Sequence, residues 1–206
     1  MAGILVVCTG NVCRSPIAEA LVRARLAERL GASAPRVASA GVAGWDGSGA
    51  DPGSVATGAE LGVDLRGHRA RGLDPGEVAD AAVVIAMSRS HREQLVTLIP
   101  DAGGRIFTLK ELVRLLEAQP PPVVRGAEDA ETDPEDRLRW RVAQADALRR
   151  ERFDGNPLDE DVADPLGMPI ASFRAIAWEM DEWCGRLVDG LFGTTRVSTG
   201  TGPMGA

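Results

Sequence analysis

Tyrosine is absent from the chain, and aromatic residues of all kinds make up only 4% of its 206 residues. Aliphatic side chains must therefore fill most of the core. Three cysteines are an odd number and too few for a disulfide scaffold, so we expect a protein of the reducing cytoplasm. The 23 Lys and Arg residues are outnumbered by 30 Asp and Glu, which gives a formal charge of −7. This balance argues against a general nucleic-acid-binding protein, because phosphate backbones require a cationic surplus.

Long apolar runs are also lacking. No run approaches the roughly 18 apolar residues that indicate a membrane span. The first run ends at Val7 and is too short for a signal peptide. The apolar share of 44% and the charged share of 26% are typical of a soluble globular protein. The length suits one domain with a sizeable core, and the oligomeric state stays open.

Strand and helix patterns alternate along most of the chain. Continuous aliphatic runs predict buried strands at residues 4–7, 36–39, 81–87 and 105–107. Helical patterns follow at residues 16–30, 54–61, 90–98 and 109–117, and a last helix carries an apolar stripe from Phe173 to Leu191. This alternation predicts an α/β fold: a single domain with three layers (α/β/α) around a central, four-stranded parallel sheet.

Two segments depart from the pattern. Residues 118–160 form an insert that contains a proline run at 120–122, and its Arg- and Glu-rich helix near residues 134–148 is expected to pack only loosely. No role for the insert follows from the sequence. The Gly- and Thr-rich tail at residues 193–206 is expected to be disordered, which leaves residues 1–192 as the domain.

The chemistry is concentrated in the first loop, where a buried strand leads directly into a helix. This loop reads Cys8-Thr9-Gly10-Asn11-Val12-Cys13-Arg14. Backbone N–H groups and the positive end of a helix together bind phosphate, and the same field stabilises a thiolate at Cys8. Arg14 is placed to hold two phosphate oxygens in a fork. The pattern predicts an N-terminal phosphate-binding loop with Cys8 as a nucleophile aimed at phosphorus.

The start of the following helix has its own signals. Ser15 and Pro16 are predicted as the N-cap and first-turn proline, and Glu19 is placed to favour the positive helix end. Asn11 suits a left-handed backbone angle, and its side chain is suited to tie the loop down.

The run from Val7 to Ala20 resembles the signature of the low-molecular-weight protein tyrosine phosphatase family. The similarity continues, in order, through Ser39-Ala40-Gly41, Trp45, Gly67-His68-Arg69, Ile85-Ala86-Met87 and Asp164-Pro165. It covers roughly residues 3–117 and 161–191. The resemblance implies hydrolysis of a phosphorylated protein through a phosphocysteine intermediate, with no metal ion and no cofactor.

The resemblance also implies roles for individual residues. Asp164 is the expected general acid and base, and Trp45 the main aromatic residue at the rim. Asn11, Ser15, Ser39 and His68 are expected to hold the loop and tune the thiolate. Cys13 is either the partner of Cys8 in a reversible disulfide or a buried residue behind the loop.

Other titratable residues receive plainer interpretations. Asp159, Glu160 and Asp161 are expected to belong to a solvated acidic loop. His91 lies in a polar helix and is expected to be exposed, and Cys184 is expected in the core.

The substrate is the open question within this resemblance. Many tyrosine-specific relatives carry aromatic residues directly after the Asp-Pro pair, where this chain has Leu166 and Gly167. Relatives acting on phosphoarginine typically have Thr at the position of Val12, and those acting on phosphotyrosine typically have Ile. We favour phosphotyrosine, with phosphoarginine as the alternative.

Two further functions are weighed against phosphatase activity. Thioredoxin-coupled arsenate reductases share the loop, but they need two relay cysteines, and no cysteine lies between Cys13 and Cys184. A catalytically silent phosphoprotein-binding module would not need Cys8, Arg14 and Asp164 together. A phosphorylated protein is therefore the expected partner.

Overall fold

The computed structural model of the protein describes residues 3–120, 133–151 and 160–193. Its four strands are β1 (Ile4–Cys8), β2 (Val37–Gly41), β3 (Val83–Ala86) and β4 (Ile106–Thr108). All neighbouring strands pair in parallel, in the order β2-β1-β3-β4. The predicted four-stranded parallel sheet is confirmed, with strand ends shifted by a few residues.

Seven α-helices occur in these ranges: α1 (Arg14–Leu30), α2 (Pro52–Glu60), α3 (Pro75–Asp80), α4 (Arg89–Leu98), α5 (Leu109–Glu117), α6 (Pro134–Glu151) and α7 (Ile170–Phe192). Two 3-10 helices lie at Gly31–Ser33 and Pro100–Arg105. The sequence analysis missed α3, a short helix that Asp74 caps by accepting a hydrogen bond from the Gly76 N–H. None of the helices in the described ranges is long and apolar enough to cross a membrane.

The sheet is buried on both faces. Ile4 and Val6 of β1 join a core shared with α1, α5, α6 and α7, whereas Leu5 and Val7 pack with residues of α3 and α4. Successive strand residues point to opposite faces, so a continuous aliphatic run is what a doubly covered strand requires. The three-layer arrangement is thereby confirmed.

The insert helix α6 packs closely, and the expectation of loose packing was wrong. Leu138, Val142 and Ala145 are buried in the main core. Arg141 is 2% exposed, and its guanidinium donates to the carbonyls of Leu116, Pro120 and Gly190 near the ends of α5 and α7. A buried guanidinium is tolerated here because backbone carbonyls satisfy it. The rest of the insert at 121–132 and 152–159, and the tail after Gly193, lie outside the described residues.

The strand order determines where a ligand can bind. From β1 the chain crosses to β2 on one side, and β3 then returns to the other side of β1. In open parallel sheets, such a switch point leaves a crevice at the carboxyl ends of the strands. Cys8 is the last residue of β1, so the predicted phosphate-binding loop lies at this crevice.

Candidate active site

The loop after β1 turns its carbonyl groups outward. The carbonyls of Cys8, Thr9, Gly10 and Val12 accept hydrogen bonds of 2.9 to 3.1 Å from the N–H groups of Val42, Ala43, Trp45 and Asp51. The Asn11 carbonyl accepts from His68 Nε2 at 2.7 Å. In a trans peptide the N–H points opposite to the carbonyl, so the N–H groups of this loop face its interior. Among the described residues, no N–H from Gly10 to Cys13 donates to a protein acceptor. Converging N–H groups of this kind form an anion-binding nest.

Cys8 lies at the base of this nest, where the predicted nucleophile was placed. Its side chain is buried, and Sγ lies 3.0 Å from the Ser15 hydroxyl. The structure corrects the prediction for Ser15: α1 begins two residues earlier than predicted, at Arg14, and its N-cap residue is Cys13, which makes no side-chain capping bond. The Ser15 hydroxyl is therefore available to the sulfur.

No acidic residue lies in the first turn of α1, so the predicted role of Glu19 at the helix end was also wrong.

Asn11 holds the loop in shape from within. Its backbone has φ 57°, which confirms the predicted left-handed angle. The fully buried side-chain amide donates to Ser15 Oγ at 2.9 Å and to Ser39 Oγ at 2.8 Å, and its oxygen accepts from the Arg71 N–H at 3.0 Å. The loop is thus fixed by bonds to α1, to β2 and to the segment before α3.

His68 supports the loop from outside. A carbonyl only accepts, so the bond to the Asn11 carbonyl places the proton on Nε2 of His68. Burial is the main cause that lowers the pKa of His68, and the cations of Arg23, Arg69 and Arg71 act in the same direction. His68 is brought to the loop as predicted.

Arg14 is buried beneath the loop and is 5% exposed. Its guanidinium donates to the Val162 carbonyl at 3.1 Å, to Thr9 Oγ1 at 3.3 Å and to Asp164 Oδ2 at 2.5 Å. Its Nε atom is buried without a hydrogen-bond partner. An arginine with an unsatisfied buried donor has capacity for another acceptor, such as a phosphate oxygen.

Asp164 reaches the loop from the other end of the chain. The Val162 N–H donates to the Met87 carbonyl at 2.9 Å, which ties this segment to the end of β3. The Asp164 side chain is 43% exposed, and its Oδ1 accepts from the Leu166 N–H at 3.2 Å. The carboxyl group therefore faces both Arg14 and solvent at the mouth of the crevice.

The neighbouring acids differ from one another. Asp161 is exposed, as expected, and caps the first turn of α4 through the Arg89 N–H at 2.8 Å. Glu160 was wrongly expected to be solvated: it is 8% exposed and lies 3.4 Å from Thr108 Oγ1. Burial and the nearby Glu111 raise the pKa of Glu160. Asp159 lies outside the described residues.

His91 is the site residue that sequence reasoning missed. Expected to be exposed, it is 4% exposed, with Nε2 at 2.9 Å from Thr9 Oγ1 and Nδ1 at 2.8 Å from Ser88 Oγ. Burial, followed by the charge of Arg14, lowers the pKa of His91 to about 4. The missed signal is Ser88, which caps α4 directly after β3 and turns the first helical turn toward the crevice.

The remaining loop residues line the back of the nest. Val12 and Cys13 are buried with Ala70 and Phe173 in a small apolar cluster. Burial raises the pKa of Cys13 to about 12. All three cysteines are free and buried, and Cys184 lies in the core as expected. A disulfide between Cys8 and Cys13 stays a prediction.

The rim of the crevice is apolar. Trp45 is 49% exposed, and its ring covers Gly10, where an added Cβ would lie 3.3 Å away. Leu166, Met168 and Ile170, just past Asp164, are also exposed. In the described ranges, no group of three or more His, Cys, Asp or Glu side chains could hold a metal ion.

An anion-binding nest around a cysteine, at the switch point of a parallel sheet, places the chain among α/β proteins with a site suited to a phosphate group. The model of the family described as low molecular weight phosphotyrosine protein phosphatase matches residues 3–120, which is more than half of the chain. The chain belongs to this family, whose members are phosphoric monoester hydrolases.

The proteins similar to this chain include some named tyrosine phosphatases and one named an arginine phosphatase. The low molecular weight protein-tyrosine-phosphatase Wzb of Escherichia coli is 36% identical over 104 residues, which are 50% of this chain and 67% of that protein. A protein-arginine-phosphatase of Geobacillus stearothermophilus is 29% identical over 91% of this chain and 95% of its own length. The solved structure of a low molecular weight protein tyrosine phosphatase from T. tengcongensis matches with a TM-score of 0.66 and 29% identity, covering 93% of this chain and 100% of that one.

Proposed function

We propose that the protein hydrolyses a phosphorylated side chain of a protein substrate through a phosphocysteine intermediate on Cys8. The main support for this proposal is the orientation of the loop. Because its carbonyl groups point outward, its N–H groups converge beside Cys8 Sγ. Such an array binds the nonbridging oxygens of a phosphoryl group and stabilises the charge that develops on them in the transition state.

The reaction proceeds in two displacements. The Cys8 thiolate attacks phosphorus, the bond to the leaving atom of the substrate breaks, and Asp164 gives that atom a proton. A water molecule then attacks the phosphocysteine, Asp164 takes a proton from the water, and the sulfur–phosphorus bond breaks to release inorganic phosphate. Arg14 holds two phosphoryl oxygens throughout, through its Nη atoms and the unpartnered Nε.

The surrounding hydrogen bonds prepare the nucleophile. The Ser15 hydroxyl at 3.0 Å stabilises negative charge on Cys8 Sγ, and the loop's position before α1 adds the field of the helix. Asn11, Ser39 and His68 act by positioning the loop, since their hydrogen bonds hold Asn11 in place and connect it to Ser15 and β2.

The rim favours phosphotyrosine as the substrate. Trp45 on one side, and Leu166 and Met168 beyond Asp164, give apolar surfaces of 49%, 42% and 49% exposure on which an aromatic ring can pack. Phosphoarginine is the second candidate, because the relative named a protein-arginine-phosphatase aligns with 91% of the chain. The absence of an aromatic residue at Leu166 and Gly167 also favours it.

Replacement of the nucleophile tests the mechanism. Cys8→Ser should lower turnover of an aryl phosphate by about 10⁴-fold or more while phosphate binding is retained. Cys184→Ala, which removes a core thiol, is the matched control and should keep the rate of the unmodified enzyme. Near-normal turnover by Cys8→Ser would refute the phosphocysteine intermediate. A complete lack of turnover in the unmodified protein, with phosphopeptide binding, would instead indicate a binding module.

A side-by-side assay on phosphotyrosyl and phosphoarginyl peptides decides the substrate, with arsenate reduction as a control reaction. Val12 is 5% exposed in the loop, where Val12→Thr replaces a methyl group with a hydroxyl at nearly the same size and Val12→Ile adds one methylene. Thermal unfolding of both variants measures the effect of each change on the fold. We expect phosphotyrosine to be the better substrate and Val12→Thr to shift the ratio toward phosphoarginine. A higher kcat/KM for phosphoarginine in the unmodified enzyme would reverse the assignment.

A further inference from the structure

A second polar cavity lies beside the edge strand β2, away from Cys8 and Asp164. It measures about 630 Å³ and has three walls: α1, the start of β2 and the segment before α3. Its charged lining consists of the cations Arg23, Arg36, Arg69 and Arg71 and the anions Glu19, Asp64 and Glu77. The catalytic proposal uses none of these side chains.

The carboxylates of this cavity are already engaged. Glu19 accepts hydrogen bonds from Arg23 and from Ser39 Oγ, and Glu77 pairs with Arg71. Asp64 is bonded at 2.8 Å to Arg66, which lies outside the lining. Each anion of the wall is therefore compensated by a cation that it contacts.

Among the described residues, two arginines of the wall pair with no carboxylate. Arg69 donates there to the backbone carbonyls of Arg66 and His68, and Arg36 forms no ion pair. Both side chains are exposed and can turn into the cavity. The protein carries a formal charge of −7, yet this cavity has two uncompensated guanidinium groups. Arginines in such a position bind phosphate-type anions in a bidentate manner.

The shape and lining restrict the chemistry of the anion. Among the described residues that line the cavity, His68 has the only aromatic ring. Its Nε2 is bonded to the Asn11 carbonyl, so this ring is a poor platform for stacking a nucleobase. The volume exceeds what one phosphate needs. The arginines also affect the pKa of His68 in the cavity wall. Burial is the main cause that lowers this pKa, and the positive charges of Arg23, Arg69 and Arg71 lower it further.

We propose that this cavity is a binding site for a compact, nonaromatic polyanion of the phosphate class, held by Arg36 and Arg69. The site shares a wall with the catalytic loop. Ser39, His68 and Arg71 line the cavity, and each is hydrogen-bonded to Asn11. An anion bound in the cavity would therefore change the hydrogen-bond partners of Asn11, the residue that forms the left-handed turn of the catalytic loop.

Binding of tripolyphosphate, measured by calorimetry at low ionic strength, tests the proposal without any turnover. The background variant is Arg14→Ala, because removal of Arg14 weakens competing binding at the catalytic loop. In this background, adding Arg36→Gln and Arg69→Gln should weaken binding by about tenfold or more. The matched control adds Arg139→Gln and Arg150→Gln, two exposed arginines of α6, which makes the same change in net charge. The control should bind as the background does.

Spectroscopy of the unmodified protein provides an independent measurement if Arg14→Ala does not fold. Tripolyphosphate should shift the Nε–H resonances of Arg36 and Arg69 and the side-chain amide of Asn11 with one common midpoint. Unshifted Arg36 and Arg69 resonances, or equal weakening in the test and control variants, would overturn the proposal. Much tighter binding of a multiply phosphorylated peptide than of tripolyphosphate would also overturn it, in favour of a protein-docking site.

Discussion

Arg14 Nη2 lies 2.5 Å from Asp164 Oδ2, although the two residues are separated by most of the chain. The cation that we propose to hold the phosphoryl group is thus bonded to the carboxyl group that we propose to move the proton. We therefore expect an arriving phosphate to compete with Asp164 for the same guanidinium. Such competition would link the affinity for phosphate to the carboxyl group of Asp164.

Asp164→Asn should therefore have opposite effects on turnover and on phosphate binding. Turnover should fall by about 10²- to 10³-fold, because the leaving atom loses its proton donor. Inhibition by inorganic phosphate should become about two- to tenfold tighter, because a half-exposed ion pair no longer competes and a negative charge is gone. Steady-state kinetics with an aryl phosphate measure both quantities.

Asp161→Asn is the matched control for this experiment. Asp161 is an exposed carboxylate three residues away that contacts Arg89 rather than Arg14. Both kinetic constants should stay near those of the unmodified enzyme. If Asp164→Asn weakened phosphate inhibition, the competition between carboxylate and phosphate would be refuted.

The three cysteines should differ in their reactivity with iodoacetamide. Burial raises the pKa of both Cys13 and Cys184 to about 12, so both remain thiols at neutral pH. Only the thiolate reacts, and Cys8 lies in the field of the nest and of α1. Mass spectrometry should detect alkylation at Cys8 first, with protection by inorganic phosphate. Faster labelling of Cys13 than of Cys8 would contradict the assignment of the nucleophile.

His91 should titrate far below an ordinary histidine. Burial and Arg14 lower its pKa to about 4, with Asp164 and Asp161 opposing the shift only in part. Since its ordinary value is 6.5, the unfolded chain binds the proton more tightly between about pH 6.5 and pH 4. The free energy of unfolding should therefore fall as the pH is lowered through this window.

The stabilisation lost from this one residue should amount to about 1–2 kcal/mol after allowance for solvent screening. Urea unfolding of the unmodified protein and of His91→Asn across this pH range isolates the effect, because the other titrating groups cancel in the difference. The imidazole resonances of His91 give its pKa directly. A midpoint at or above pH 6.5 would contradict the buried, neutral state.

Gly41→Ala should damage the site because β2 passes very close to the loop. A Cβ at this position would lie 2.4 Å from the Thr9 carbonyl oxygen and 3.0 Å from the Asn11 nitrogen. Relief of this clash must move the loop, so we expect strongly reduced turnover and about 1–3 kcal/mol of destabilisation. At the control position Gly103, the nearest atom to an added Cβ is 3.9 Å away, and Gly103→Ala should leave turnover unchanged. Thermal unfolding and aryl phosphate kinetics measure the two effects.

Arg141→Met should lower the stability of the protein without a direct effect on the chemistry. It removes three hydrogen bonds from a buried guanidinium to the ends of α5 and α7, which we expect to cost about 2–4 kcal/mol. Arg139→Met removes an exposed pair with Glu135 on the same helix and should cost about 0.5 kcal/mol or less. Urea denaturation compares the two variants. Equal stabilities would mean that α6 is not held by Arg141.

Much of the fold is readable in the sequence because its signals are local. The aliphatic run of β1 requires cover on both faces, and α5 occupies residues 109–117 as predicted because Thr108 and Glu111 form a capping box. The left-handed angle of Asn11 was likewise predictable from its residue type and its place in the loop. Short α3 escaped prediction because six residues carry almost no periodic pattern.

The errors concern polar residues whose burial is decided by distant parts of the chain. His91, Glu160 and Arg141 all lie in polar sequence surroundings, and each has a hydrogen-bond partner far away in the chain, at separations of 82, 52 and 25 residues respectively. Ser15 was assigned to a cap because Ser before Pro is a strong helix-start signal. The sulfur of Cys8 was the competing partner, and the sequence pattern did not rank the two.

The segment carrying Asp164 has a consequence for variation among related chains. Val162 is fixed to the end of β3 by a backbone hydrogen bond, and its carbonyl is fixed by Arg14. The residue that we propose as the proton donor is thus positioned by residues that precede the insert in the chain. We therefore expect chains that differ in the number of residues between α6 and Glu160 to keep Asp164 at the same place beside Arg14. Residues 3–120, which match the family model, hold the phosphate nest but do not include Asp164, the acid that we propose to release the product.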